Sequence, residues 1–308
     1  MNEMIIIFTD VLLPIFIIII AGFLIQKKFS FNLDTLTKIQ LYLLIPSLIF
    51  LNIANSELQK DLVIQIVSFT VILFFALMLI SFIIARLFKL ERKREKAFMN
   101  AVILRNQGNF GIPVITLLFL ASGNEFPLAV HMISLFSTNL LLNTIGLYNA
   151  SSGTYTSKEA MIKVLKLPMI YVVLFGFLFK EFHIEIPNPI ESSLSIIANA
   201  VVPLALLTLG AQLANAKLSL LNKTLPIAVI LRLIASPLIA YLMTIIMGIN
   251  GEMAQVLIIG SSAPTAVNSV LLAIEFKGDA QYASETVFLT TLLSTITVSI
   301  VIMLTSSL

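Results

Sequence analysis

The chain has 308 residues, 58% of them hydrophobic and only 11% charged, with a mean hydropathy of +1.03. A soluble domain carries about 25% charged residues, so this composition folded in water would leave far too much apolar surface exposed. The net charge of +3 calls for no nucleic-acid partner, because the basic residues sit in loops beside apolar runs, and zero cysteines exclude disulfides, thiolate metal sites and cysteine nucleophiles.

Apolar runs of about 20 residues recur along the chain, long enough to cross a ~30 Å hydrocarbon core as helices. Stretches such as Ile15 to Ile20 do not alternate with polar residues as barrel strands do. The expected fold is therefore an all-α integral membrane protein. In chain order, ten spans are predicted over roughly 5–26, 34–54, 61–88, 96–121, 125–149, 160–180, 188–214, 221–248, 252–275 and 282–305. The N-terminus, Met1-Asn2-Glu3-Met4, lacks a basic leader, and Lys27-Lys28 follow the first run, which predicts a retained span that starts outside. The polar stretch Asn149 to Lys158 divides two five-span halves, 1–150 and 151–308.

Charge sidedness tests the count. Alternate loops place 15 of the 19 basic residues on one face, in Lys27, Lys28, Lys38, Arg86, Lys89, the cluster Arg92-Lys93-Arg94 with Lys96, then Lys158, Lys163, Lys166, Lys217, Lys223 and Lys277. The other face holds Lys60 and Lys180, while Arg105 and Arg232 fall inside spans. That asymmetry predicts a plasma- or inner-membrane protein with both termini outside and a cytoplasmic 151–159 loop. Five spans per half make the halves an inverted repeat. Leu13-Pro14 precedes Gly22-Phe23-Leu24 in span one at the same spacing as Leu167-Pro168 before Gly176-Phe177-Leu178 in span six, and spans two and seven carry Pro46 and Pro203.

The fourth span of each half is interrupted. Span four reads Arg105-Asn106-Gln107-Gly108-Asn109-Phe110-Gly111-Ile112-Pro113, and span nine reads Ser261-Ser262-Ala263-Pro264-Thr265-Ala266-Val267-Asn268. Proline removes a donor and glycine loosens the backbone, so both should unwind. Non-helical backbone at membrane depth is tolerated only where it is buried or lines a wet cavity, and paired interruptions point to a binding site. Two crossing half-helices would present N-termini of about +0.5 charge each to one point, which suits a carboxylate. Asn106, Asn109 and Asn268 add side-chain donors there.

Span four resembles the signature of the auxin efflux carrier family in Asn106-x-Gly108-Asn109-x-Gly111-x-Pro113. Leu272-Ala273-x-x-Phe276-x-Gly278-Asp279 with Ala283-Ser284 and Thr290-Thr291-Leu292-Leu293-Ser294 is similar to its C-terminal pattern, and Arg232 before Pro237 to its span-eight pattern. The resemblance implies a scaffold of spans 1, 2, 6 and 7, through which a homodimer would form, and a mobile transport domain of spans 3–5 and 8–10. It also implies a substrate site at the crossover and elevator-type alternating access. Plant members carry a long insertion between the halves; here that loop is about ten residues, and short bacterial members are associated with malate or malonate.

The expected substrate site is Arg105, Asn106, Gly108, Asn109, Gly111, Pro113, Arg232, Pro264, Thr265 and Asn268, with Ser262 and Thr265 as contacts for a sodium ion. For each arginine the functional reading is a counter-charge near the anion path, and the structural one is a partner for a backbone carbonyl or helix end. His131, in span five, reads either as a buried neutral histidine bonded across helices or as a proton-linked group. No carboxylate falls at either break, and only Asp10 lies deep in a span. No metal cluster, Gly-x-Ser-x-Gly elbow or intramembrane aspartate pair occurs, so enzymes and cofactor-dependent chemistry are not expected. The expected function is a secondary transporter of small organic anions such as mono- or dicarboxylates. A sodium- or proton-coupled uptake symporter and an anion channel are its alternatives.

Overall fold

The computed structural model describes residues 6–56, 59–119, 123–151, 157–216 and 222–308. Helices α1 (Ile7–Phe29), α2 (Leu33–Ala54), α3 (Lys60–Leu87), α4 (Arg92–Ile103) and α5 (Gln107–Phe119) come first. They are followed by α6 (Phe126–Ala150), α7 (Ser157–Leu165), α8 (Pro168–Glu181), α9 (Asn188–Ala214) and α10 (Leu225–Ile246). The chain continues as α11 (Gly251–Ser262), α12 (Asn268–Glu275) and α13 (Ala280–Thr305). Among the described residues seven helices (α1, α2, α3, α6, α9, α10 and α13) are long and apolar enough to cross a membrane. No β-strand occurs among them. The protein is a multi-pass helical membrane protein. Residue 5 of span one, residues 120–121 of span four, residue 221 of span eight, Lys217 and most of the 151–159 loop lie outside the described residues.

Prolines shape these helices without stopping all of them. Wide π-turns cover Ile7–Leu12, Gln40–Leu44, Gln107–Gly111 and Leu231–Ala235, and each runs directly into an α-helical segment whose second residue is Pro14, Pro46, Pro113 or Pro237. A proline ring clashes with the carbonyl four residues back and offers it no N–H, and a widened turn relieves both problems. Span six differs from its expectation of one helix over 160–180. Leu167 is extended (φ −74°, ψ 123°) and Pro168 begins α8, so the span is two helices. The residue before a proline is pushed out of the α region, and here that push breaks the chain.

Two close helix pairs organise one side of the bundle: α1 lies along the second half of α9, and α8 along the second half of α2. Gly22 makes the first pair possible, since a Cβ there would run into the backbone of Leu207; one on Gly210 would meet the Ile19 carbonyl and the Phe23 amide. In the second pair a Cβ on Gly176 would lie 3.0 Å from Ile53 and 3.6 Å from the Phe50 carbonyl. On the other side α3 packs on α4 and α6, α10 on α11, and α13 on α4, α11 and α12. Gly210→Ala should push α1 off α9 and lower the stability of the purified protein by about 1–3 kcal/mol. Gly108→Ala, with nothing within 4 Å of the added Cβ, serves as the control. Equal melting temperatures for the two variants would show that the α1–α9 approach is not tight.

Candidate functional site: a crossover of two broken helices

Helix α4 ends at Ile103 and Leu104 turns extended (φ −89°, ψ 105°). Helix α11 ends at Ser262, and Ala263, ahead of Pro264, is extended too (φ −54°, ψ 143°). The backbone groups freed by these breaks satisfy each other. The Asn106 N–H donates to the Pro264 carbonyl at 2.8 Å and the Ala266 N–H to the Leu104 carbonyl at 2.8 Å, an antiparallel bridge centred on Arg105 and Thr265. Thr265 locks the pairing, its N–H donating to Thr290 Oγ1 at 3.1 Å and its hydroxyl to the Ala101 carbonyl at 2.7 Å. Such pairing is what lets irregular backbone persist deep inside a membrane-spanning bundle.

Four helix ends meet at this bridge. The C-termini of α4 and α11 share one cation: Arg232, fully buried on α10, donates through Nη1 to the Val102 carbonyl at 2.6 Å and through Nη2 to the Ser261 carbonyl and Ser236 Oγ. Ser236 Oγ also donates to the Ser261 carbonyl, at 2.9 Å. A guanidinium is the natural partner for two ends that each carry about −0.5 charge. On α5, the Asn106 side chain caps the first turn by accepting from the Asn109 N–H at 3.1 Å. Helix α12 starts at Asn268, which is exposed.

A cavity of about 110 Å³ opens beside the N-termini of α5 and α12, lined by Arg105, Asn106, Gly108, Asn109, Val267 and Asn268. That is room for a handful of water-sized groups. Thr138 and Asn139 of α6, Gln40 of α2 and Gln212 of α9 complete its polar wall, and Leu41, Ile45, Leu135, Leu142 and Met169 its apolar wall. Arg105 is the one cation among the described lining residues, and none of them is a carboxylate. Its Nη2 donates to Thr138 Oγ1 at 3.2 Å. Its Nη1, Asn106 Nδ2 and Gln212 Oε1 are buried and find no partner among the described residues. Buried donors left open are costly unless something fills the space they face.

The other expected site residues lie around this cavity rather than on its wall. Pro264 and Thr265 form the bridge behind it. Pro113 follows the π-turn that opens α5, and Gly111 makes room for the fully buried His131, whose ring would sit 2.8 Å from a Cβ there. His131 Nε2 lies 2.9 Å from the Gln107 carbonyl, and Gln107 Nε2 donates to Ser134 Oγ at 3.0 Å. Ser262 Oγ donates to the Ile259 carbonyl at 2.6 Å. Arg232 stands behind the bridge. Thr138, Asn139, Gln40 and Gln212 were missed by the sequence reading; polar side chains inside apolar spans two, five and seven were the available signal. Glu285, close to the start of α13, is fully buried, which its position near a span end did not announce.

Comparison with known proteins places this geometry in a family. The profile of the family described as membrane transport protein matches residues 6–302. The chain is 27% identical to an uncharacterised transporter of Methanocaldococcus jannaschii over 94% of its length and 96% of the relative's. It is 24% identical to a Rhizobium meliloti protein provisionally named a malonate transporter, over 94% and 93%. Over 37% of this chain and 34% of the relative it is 27% identical to auxin efflux carrier component 5 of Arabidopsis thaliana. A match across nearly the whole of a multi-pass helical protein settles the matter: the chain belongs to the auxin efflux carrier family of membrane transport proteins, a family of transporters and not of enzymes.

Proposed function

We propose that this protein is a secondary carrier of small organic anions, binding a carboxylate in the cavity at the crossover. The observation that carries the reading is the pair of open buried donors, Arg105 Nη1 and Asn106 Nδ2, on a cavity that has one cation and no described carboxylate. The N-termini of α5 and α12 add positive potential at the same place. The apolar wall of Leu41, Ile45, Leu135, Leu142 and Met169 suits a short hydrocarbon body. The provisional name of the Rhizobium meliloti relative makes malonate the first candidate to test.

In this reading the ten predicted spans form two inverted repeats in the plasma or inner membrane, with both termini outside. The two glycine contacts support the repeat: Gly22 meets Leu207, four residues after Pro203, and Gly176 meets Phe50, four residues after Pro46. Spans 1, 2, 6 and 7 (α1, α2, α7–α8 and α9) would form the scaffold, and the remaining helices would slide against it as an elevator. A second recess of about 330 Å³ shares Thr37, Gln212 and Val267 with the cavity and reaches Asp34, Asn215 and Ile274. Those residues lie towards the lysine-rich loops, while Phe16 of α1 packs edge-on against Phe110 of α5, ring centres 6.5 Å apart. We read the arrangement as open to the cytoplasm and shut towards the outside.

With no carboxylate at the crossover to carry a proton, the carrier is expected to run uncoupled. An inside-negative potential then drives export by ~2.3 kcal/mol per charge per 100 mV. In proteoliposomes, labelled malonate should move down the imposed potential without a sodium or proton gradient; accumulation against the potential that requires either gradient would overturn the uncoupled mechanism. Arg105→Gln should reduce flux about 10- to 100-fold, as expected for a lost charged hydrogen bond. Asn109→Ala and Asn268→Ala should abolish it with membrane insertion intact, and undiminished flux in both would move the site elsewhere. Because the chain has no cysteine, Thr138→Cys puts a single thiol on the cavity wall. Saturating substrate should slow its alkylation several-fold; an unchanged rate would mean that the substrate binds somewhere else.

A further inference from the structure

Arg232 heads the fully buried side chains by volume. A charge taken this far from water normally needs an anion, yet its hydrogen-bond acceptors are two backbone carbonyls and one hydroxyl. Both carbonyls belong to the last turn of a helix that stops at the crossover, Val102 in α4 and Ser261 in α11. One side chain therefore ties together two C-termini that would otherwise repel, and in doing so fixes the direction of the two N-termini beyond the bridge. Val102 stands three residues before Arg105, at most about 10 Å of extended chain. Ser261 stands four residues before Thr265, which is bridged to Arg105. Arg232 itself is not part of the cavity wall.

We infer that Arg232 is a positioning residue that sets the anion affinity of the cavity from behind, holding the half-helices in place and supplying a unit positive charge that the ligand feels without touching. The inference rests on the proposed carboxylate site. A pure tether would affect all ligands of similar size alike. A remote charge acts in proportion to the charge of the ligand, so its removal weakens a dianion by the square of the factor for a monoanion. For a separation on the order of 12 Å and an effective dielectric constant near 20, that factor is about tenfold per ligand charge.

The test compares labelled acetate and malonate, two small carboxylates carrying one and two charges near neutral pH, in proteoliposomes of wild type, Arg232→Gln and Arg232→Lys. Gln keeps a donor for one carbonyl and loses the charge; Lys keeps the charge and loses the fork. The expected result for Gln is a half-saturation concentration raised about tenfold for acetate and about a hundredfold for malonate. Lys should weaken both by a common factor, leaving their ratio within about twofold of wild type. Equal factors for the two anions in Gln, or no change in either, would overturn the inference, as would a collapsed ratio in Lys. If the Gln variant fails to assemble, the uncharged Arg232→Met, which fills similar space with an apolar chain, is read by the same comparison: a larger factor for malonate than for acetate supports the inference, and equal factors overturn it. A wild type that carries neither anion would instead sink the proposed carboxylate site. Loss of flux in Arg105→Gln with equal factors in Arg232→Gln would leave that site standing and remove only the role given to Arg232.

Discussion

Backbone amides and carbonyls cannot go unpaired in a bundle surrounded by hydrocarbon, and the two short hydrogen bonds between 104–106 and 264–266 are how this protein meets that demand. Without them, two helices could not end in the middle of the molecule. With them, four helix termini are brought to one level, and their partial charges become available for use. Thr265 and Thr290 reinforce the bridge with side chains that add no charge. The cavity lies at this junction: Arg105 and Asn106 on its wall are released from helical geometry, and Gly108, Asn109 and Asn268 stand in the first turns of the helices that begin there.

The junction separates two kinds of helix end, and each has its own arginine. Arg232 serves the carbonyl ends and spreads its hydrogen bonds over α4, α10 and α11. Arg105 lies on the amide side, where like charge gathers, and it gains only Thr138 as a described partner. Placing a cation beside positive helix ends costs free energy in the empty protein. In the proposed function an arriving carboxylate would recover that cost. The same residue type thus serves opposite kinds of helix end on the two sides of the bridge.

Around the junction, glycine and proline set how the rest can pack. Prolines after π-turns let α1, α2 and α10 bend without breaking, whereas Pro168 and Pro264 follow extended residues at breaks. Gly22 and Gly210 bring α1 and α9 into backbone contact. This close α1–α9 pair stands beside the junction, and α5 packs on both of its members as well as on α6 and α11.

What the sequence determined by itself was set by local chemistry. Hydropathy and charge sidedness establish a multi-pass membrane protein, because each span must be apolar over its own length. The break at Ala263–Thr265 was legible because Pro264 acts on its immediate neighbours. In span four the expected unwinding over 106–113 does not occur: Gly108, Gly111 and Pro113 lie within helix α5, and the chain breaks just before it at 104–106, where the bridge to 264–266 holds it. The motif around Asn106 and Asn109 led to the family. Tertiary structure alone decided which of those residues share a cavity. Asn106, Gly108, Asn109 and Asn268 line it with Arg105, while Pro264, Thr265 and Arg232 stand behind, since the facing of a side chain depends on partners more than a hundred positions away. Thr138 and Gln212 joined the wall, and Glu285 was buried, for the same reason: the contacts are between helices, and no periodicity within one helix records them.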